Sequence, residues 1–235
     1  MLRENLERVR ERMEEARERS GRKAEDIALV LVTKTIPKEA VLEAVSLGIK
    51  DIGESRVQEA EAKIGEIGHA APLAWHMIGH LQTNKVSRAV EIFDLIQSVD
   101  SKKILQAIDR QAGQIGKVQK CLVEIKLADD PAKTGLGEDE LEDFCRASKS
   151  HKNIEIGGIM MIAPFFNTEE NPRPYFARAR KIFERLFLEK SGPWSGRPGA
   201  VLSMGMSGDF EAAIEEGSTM VRIGSAIFGV RPAQK

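Results

Sequence analysis

Apolar, strand-length runs alternate with helical segments eight times along 235 residues, and this pattern predicts a single α/β domain: a (β/α)8 barrel of the TIM type with one extra N-terminal helix. Three observations carry the prediction. The strand-like runs are continuously apolar, as strands covered on both faces must be. Gly, Pro, Ser and Asn punctuate the changes of element. Eight strand–helix units of roughly 20–35 residues each fill about the length usual for one barrel. An open, doubly wound sheet shares the alternation, but eight units within roughly 200 residues suit closure better.

Residues 1–26 read as the extra helix, packed on a barrel spanning 27–235. Leu6, Val9, Met13 and Ala16 fall on one stripe, and the remaining positions are mostly Arg and Glu, a solvated face. Ile27–Val32 is the first strand. Pro37 then suits a helix N1 position, Val41, Leu42 and Val45 supply an apolar face, and Gly48 stops the helix. Ile49–Gly53 is the second strand, and Ser55 with Gln58 three residues on is a capping-box pattern opening a helix toward Gly65 or Gly68. Strands three to eight are Ala74–Ile78, Leu95–Val99, Val118–Leu127, Ile154–Ile162, Val201–Gly205 and Thr219–Gly224. Helices lie between them: Asn84–Val90, a segment capped by Ser101 with Ile104, Leu105 and Ile108 inward, Glu138–Lys149 with acids first and bases last, Pro174–Lys190, and Ser207–Glu216. Gly192–Gly199 is a loop within the same alternation.

Composition narrows the function. Thirty-five Lys plus Arg against 36 Asp plus Glu leave a formal charge of −1, without the excess of cations that binding to nucleic acid or an anionic membrane requires. Two cysteines cannot make a disulfide framework, and no apolar run nears the roughly 20 residues that span a bilayer. Arg3, Glu4 and Glu7 are unlike a secretory signal. A soluble cytoplasmic chain is expected, with neither nucleic acid nor membrane as partner.

In a barrel the chemistry sits at the strand C-termini. Lys34 ends the first apolar strand; it either snorkels to water or, desolvated, is an amine nucleophile able to condense with an aldehyde. Arg222 intrudes into the apolar run Met220–Gly224, so it must pair, either with a carboxylate such as Glu54 or Glu124 or with a ligand acceptor. Ser207-Gly208-Asp209 after strand seven and Gly224-Ser225 after strand eight resemble helix N-termini that present N–H groups to an anion, the usual phosphate site of barrels. Ser207 alone would also serve as an ordinary N-cap. Together these residues describe a pocket for a phosphorylated aldehyde.

The same residues carry a resemblance. Leu31-Val32-Thr33-Lys34-Thr35, Gly53-Glu54-Ser55-Arg56-Val57-Gln58-Glu59, Trp75 through Lys85 (WHMIGHLQTNK), Lys133-Thr134-Gly135, Ser203-Met204-Gly205-Met206-Ser207 and Met220 through Gly229 (MVRIGSAIFG) are similar to the pyridoxal phosphate homeostasis proteins. The likeness covers residues 27 to 229. It implies a barrel like the N-terminal domain of alanine racemase, carrying pyridoxal 5′-phosphate without established turnover. Position by position, it implies that Lys34 forms the internal aldimine, that Arg222 faces the pyridine nitrogen, and that Ser207, Gly224 and Ser225 bind the phosphate. Asn84 lies in a shared motif. Ser55 stands where the family usually has Asn and reaches less far, and Ser225 stands where many relatives have Thr. Apo-enzymes that depend on the cofactor are the expected recipients, and a monomer is the expected state.

An arginine on the ring nitrogen keeps it unprotonated, which weakens the electron sink and disfavours transamination or decarboxylation. Racemisation is the alternative function. By the same resemblance it needs a tyrosine base from a separate β domain, for which the chain has no spare length; its one tyrosine, Tyr175, starts a flanking helix. His76 and His80 are alternative bases, the first at a strand end and the second in a loop. A Schiff-base aldolase acting on a phosphorylated sugar would use the same lysine and phosphate loops. Cys121 reads as core packing and Cys145 as a helix residue, neither at metal-ligand spacing. Lys133 is a loop lysine near the active face.

Overall fold

A computed structural model describes residues 1–22, 27–68, 72–128, 134–164 and 172–229. It begins with α1 (Leu2–Arg19), where Leu6, Val9, Met13 and Ala16 are buried as the stripe requires, with Glu4 in the first turn and Arg17 and Arg19 in the last. The helix ends at Ser20 and Gly21, short of the expected residue 26; residues 23–26 lie outside the described part.

Eight parallel strands follow and close into a barrel in chain order, with β8 hydrogen-bonded to β1. They are β1 (Ala28–Val32), β2 (Asp51–Glu54), β3 (Ala74–Met77), β4 (Leu95–Val99), β5 (Gln119–Ile125), β6 (Ile154–Met161), β7 (Val201–Ser203) and β8 (Met220–Ile223). The closed barrel thus replaces the open-sheet alternative. Outside it run α2 (Lys38–Ser46), α3 (Val57–Ile67), α4 (Val86–Ile92), α5 (Lys102–Gln114), α6 (Leu141–Ser148), α7 (Arg173–Phe183), α8 (Phe210–Glu215) and α9 (Ser225–Phe228). Short 3-10 turns at Thr83–Lys85 and Glu138–Glu140 precede α4 and α6, and α7 runs on as a π turn over Glu184–Leu188. Most strands are shorter than the apolar runs that announce them: β1 and β2 start later than their runs, β3, β6 and β7 end earlier, and β5 and β8 are trimmed at both ends.

Local chemistry accounts for most boundaries. The Ser101 hydroxyl accepts from the Ile104 N–H at 3.3 Å and caps α5, as expected. Ser55 does not cap α3: Arg56 holds the N-cap position and no side chain satisfies the first turn. Pro37 is the N-cap of α2 and not its first helical residue, and Leu42 turns partly to solvent while Val41 and Ala44 are buried. Tyr175 packs half-buried against the core from α7. Among the described residues no helix is long and apolar enough to cross a membrane.

The apolar core lies between barrel and helices, where Phe93, Phe144, Phe176 and Phe210 are fully buried. The barrel interior is different, holding the buried polar side chains of His76, Gln97, Ser203 and Arg222. The strand β6 also carries an irregularity: Cys121 pairs with Ile156 but Leu122 with Gly158, so Gly157 is an extra residue in the ladder. A Cβ on Gly158 would collide with the Val201 carbonyl of β7, whereas one on Gly157 would meet nothing. Gly158→Ala is therefore expected to lower stability by at least about 2 kcal/mol and Gly157→Ala by less than about 0.5 kcal/mol, read as the difference in urea unfolding midpoints.

Candidate functional site

The strand C-termini form one mouth, and β1 delivers Lys34 to it. After Val32 the chain turns, with the Ile36 N–H donating to the Thr33 carbonyl at 2.9 Å. Lys34 is exposed in this turn. Thr35 has φ of +62°, the one described non-glycine residue with positive φ, and for a β-branched side chain that costs about 1–2 kcal/mol. Something must hold it.

The clamp is a buried ionic cluster. The Lys63 ammonium, on α3, donates to the Thr33 carbonyl, to Glu54 Oε1 at 2.6 Å and to Glu59 Oε1 at 2.8 Å, using all three of its donors. The Thr33 hydroxyl donates to the same Glu54 oxygen at 2.5 Å, and Glu59 Oε1 also accepts from the Thr35 N–H. Burial pushes the Glu54 carboxyl above its ordinary range, and the hydrogen bonds from Lys63 and Thr33 offset only part of that. For Glu59 the balance reverses: burial is outweighed by the bonds from Lys63 and Thr35, so the carboxyl is held low. The second Glu54 oxygen, Oε2, is buried without a hydrogen-bond partner among the described residues.

Arg222 is fully enclosed by the barrel wall. Its Nη1 donates to Ser203 Oγ at 2.7 Å and its Nη2 to the Met161 carbonyl at 2.9 Å. Neither carboxylate considered from the sequence is its direct partner, since Glu54 is taken by Lys63, and Glu124 and Asp209 act only through space. Burial lowers the guanidinium pKa to about 10, with Asp209 and Glu124 pulling the other way, so it remains a cation at neutral pH. Glu124 is itself pushed up by burial; its Oε1 accepts from the Thr134 hydroxyl at 3.0 Å while Oε2 is buried without a hydrogen-bond partner among the described residues.

From Arg222 a hydrogen-bonded chain runs down the interior, with one side branch from Gln97 Nε2 to the Met220 sulfur at 3.3 Å. Because a guanidinium can only donate, the order of donors follows. Ser203 Oγ accepts from Arg222 and donates to Gln97 Oε1 at 2.7 Å, Gln97 Nε2 donates to His76 Nδ1 at 2.9 Å, and His76 Nε2 donates to Asp51 Oδ1 at 3.0 Å. Asp51 starts β2, so the chain crosses the barrel from the mouth to its opposite end.

The two phosphate-type loops meet, but not as two helix N-termini. The helix α8 begins at Phe210 with Asp209 as its N-cap, so Ser207 lies in the preceding turn and not in the helix expected from Ser207. The turn is fixed by Asp209 Oδ1, which accepts from the Met206 N–H at 2.6 Å. The Ser207 hydroxyl oxygen accepts instead from the Gly224 N–H at 3.3 Å and the Ala226 N–H at 3.2 Å. Two N–H groups at the start of α9 are thereby aimed at an oxygen atom beside the exposed Ser225. Gly205, with φ of +94°, lets α8 approach, because a Cβ there would meet the Ala213 methyl at 2.6 Å. The outer helix α1 braces both loops: Asn5 Nδ2 donates to the Ile227 carbonyl at 3.0 Å, and Arg12 bonds Glu211 through two nitrogens at 3.2 and 2.6 Å while lying 4.8 Å over the Phe210 ring.

Of the residues expected from sequence, the fold brings Lys34, Arg222, Ser207, Gly224 and Ser225 to the β7–β8–β1 side of the mouth. Asn84 stands apart in the Thr83–Lys85 turn, exposed and sharing no hydrogen bond with them among the described residues. His76 has both ring nitrogens engaged within the barrel, and His80 pairs with Asp100 at 2.9 Å on the surface. Ser55 lines a cavity of about 480 Å³ with Arg56, Met77, His80 and Lys85. Lys133 lies outside the described residues. Cys121 and Cys145 are buried free thiols, the latter pushed up to about 11 by burial, and the described residues contain no metal-type cluster. The larger cavity of about 520 Å³ is at the other end, between α1 and the starts of β1 and β2, and holds none of the expected site residues. The sequence assigns no role to Lys63, Glu59, Gln97 or Ser203, although Glu59 and Ser203 stand in the motifs that carry the resemblance.

The site fits pyridoxal 5′-phosphate by its donor set: an exposed amine, a cluster of hydroxyls and N–H groups able to take an anion, and a buried permanent donor. Comparison with known proteins agrees. Residues 4–232 match the family model described as alanine racemase, N-terminal domain. A pyridoxal phosphate homeostasis protein of Aquifex aeolicus is 38% identical over 228 residues, 97% of each chain, and one of Pseudomonas aeruginosa is 37% identical over 230 residues, 97% of this chain and 95% of that one. The structure of PipY from Synechococcus elongatus PCC7942, solved with PLP bound, superposes with a TM-score of 0.81 at 34% identity, covering 97% of this chain and 100% of that one. An alanine-racemase-type barrel whose relatives match along nearly their whole length places this chain in the family of pyridoxal phosphate homeostasis proteins.

Proposed function

We propose that this chain binds pyridoxal 5′-phosphate covalently through Lys34 and serves as a carrier in intracellular cofactor homeostasis rather than as an enzyme. The observation that carries the reading is the pairing of β8 with β1, where Val30 lies opposite Arg222. It sets the amine, the buried guanidinium and the Ser207–Gly224–Ser225 donors on neighbouring strands of one mouth. Names and ligands of relatives support it: curated relatives are called pyridoxal phosphate homeostasis proteins, and PipY was solved with PLP.

Each group has one role. Lys34 would hold the cofactor through its amine, whose nitrogen would take the place of the aldehyde oxygen, lost as water. Ser207, Gly224 and Ser225 hold the phosphate, in the place where Ser207 Oγ now collects two N–H groups. Arg222 keeps further N–H donors beyond the two spent on Ser203 and Met161, and one of these would face the ring nitrogen. Asn84 is included through its motif alone. When bound, the cofactor supplies an electron sink, and a guanidinium that only donates leaves that sink weak.

This favours holding and releasing the cofactor over turnover. Racemisation would need a second acid–base group, and the interior candidate, His76, is committed to Gln97 and Asp51. Apo-enzymes that depend on the cofactor are the proposed recipients, and a monomeric cytoplasmic protein is the proposed form.

Lys34→Ala, reconstituted with pyridoxal 5′-phosphate, is expected to lack the visible absorbance of the lysine-bound cofactor and to give no borohydride-trapped adduct; absorbance equal to the parent's would overturn the assignment. Ser207→Ala is expected to weaken pyridoxal 5′-phosphate about tenfold, the loss of one charge-assisted hydrogen bond, and to leave unphosphorylated pyridoxal unaffected in equilibrium titrations.

A further inference from the structure

We propose that Glu59 and Lys63, on α3, are positioning residues for Lys34: with Glu54 they hold the backbone on both sides of the lysine and so fix where its amine is presented. The inference rests on the Lys34 reading above and adds to it residues with no assigned role.

Three observations converge. The Lys63 ammonium is buried and saturated by oxygens of Thr33, Glu54 and Glu59. Its contacts end on Thr33, the residue before Lys34, while Glu59 accepts from the N–H of Thr35, the residue after it. Thr35 is the described non-glycine residue forced into the left-handed region, so the bonds are spent where the backbone resists.

An ordinary Glu–Lys pair four residues apart on a helix is solvated and contributes little. Here the pair leaves that face, because Lys63 is drawn inward to a glutamate on the barrel strand β2. Burying a lysine and a glutamate is poor value for stability alone, since well-packed apolar residues serve as well. The arrangement instead suits a nucleophile that must stay exposed yet be presented in one place.

Glu59→Gln keeps an oxygen acceptor and removes one negative charge. The bonds from the Thr35 N–H and from Lys63 lose their ionic acceptor, so the rate of forming the visible lysine-bound cofactor at saturating pyridoxal 5′-phosphate is expected to fall at least threefold, while the apparent affinity for the cofactor stays as in the parent. Lys63→Met removes the clamp itself and is expected to slow the same reaction at least tenfold, with borohydride-trapped label still on Lys34 by peptide mass spectrometry. Should Lys63→Met fail to fold by thermal melting, Glu59→Gln decides alone. A Glu59→Gln rate equal to the parent's overturns the inference while leaving Lys34 as the attachment site. Label absent from Lys34 in the parent protein overturns the underlying assignment instead, so the two failures are distinct.

Discussion

A guanidinium enclosed in the wall of a β-barrel is the constraint on which the rest of the interior depends. An isolated buried charge is prohibitively costly, so Arg222 imposes acceptors on its neighbours. Ser203 on β7 and the Met161 carbonyl at the end of β6 meet that demand. Ser203 then needs an acceptor of its own, which passes the requirement to Gln97 on β4, then His76 on β3, then Asp51 on β2. A centre that layers of Val, Ile and Leu usually fill is polar as a consequence of one residue.

The mouth is assembled from three layers of the molecule. The strands present Lys34 and Arg222, the outer helix α3 supplies the cluster that fixes the Lys34 turn, and α1, outside the barrel sequence proper, braces the two loops around Ser207 and Ser225. Site geometry is thus linked to helix packing: Arg12 and Asn5 touch no candidate ligand group, yet Glu211 and Ile227, which they hold, belong to the helices α8 and α9 on either side of that cluster.

Much of this was legible in the sequence, for physical reasons. Continuous apolar runs identify doubly covered strands, and a lysine and an arginine at their ends stand out against that background, so the barrel, Lys34 and Arg222 could be read directly. Loop chemistry was less legible. Ser207-Gly208-Asp209 resembles a helix start, but Asp209 turns back to the Met206 N–H, which delays α8 to Phe210 and frees Ser207 to reach across to α9. Ser55 and Gln58 have capping-box spacing, yet Arg56 takes the cap position. Glu59 and Lys63 at a spacing of four look like a solvated pair, and only the position of α3 against β2 shows that Lys63 points inward. The interior chain joins residues far apart in sequence on four strands, and periodicity carries no information about such contacts.

The hydrogen-bonded chain beneath Arg222 can be read in only one sense, from a group that only donates to one that only accepts. It therefore gives the barrel interior a polarity of its own, parallel to the strands, with its cationic end at the mouth and its carboxylate at the far end beside α1. An anion entering the mouth meets the positive terminus of an internal dipole built from side chains, oriented before any ligand arrives and requiring no reorganisation of the wall to act.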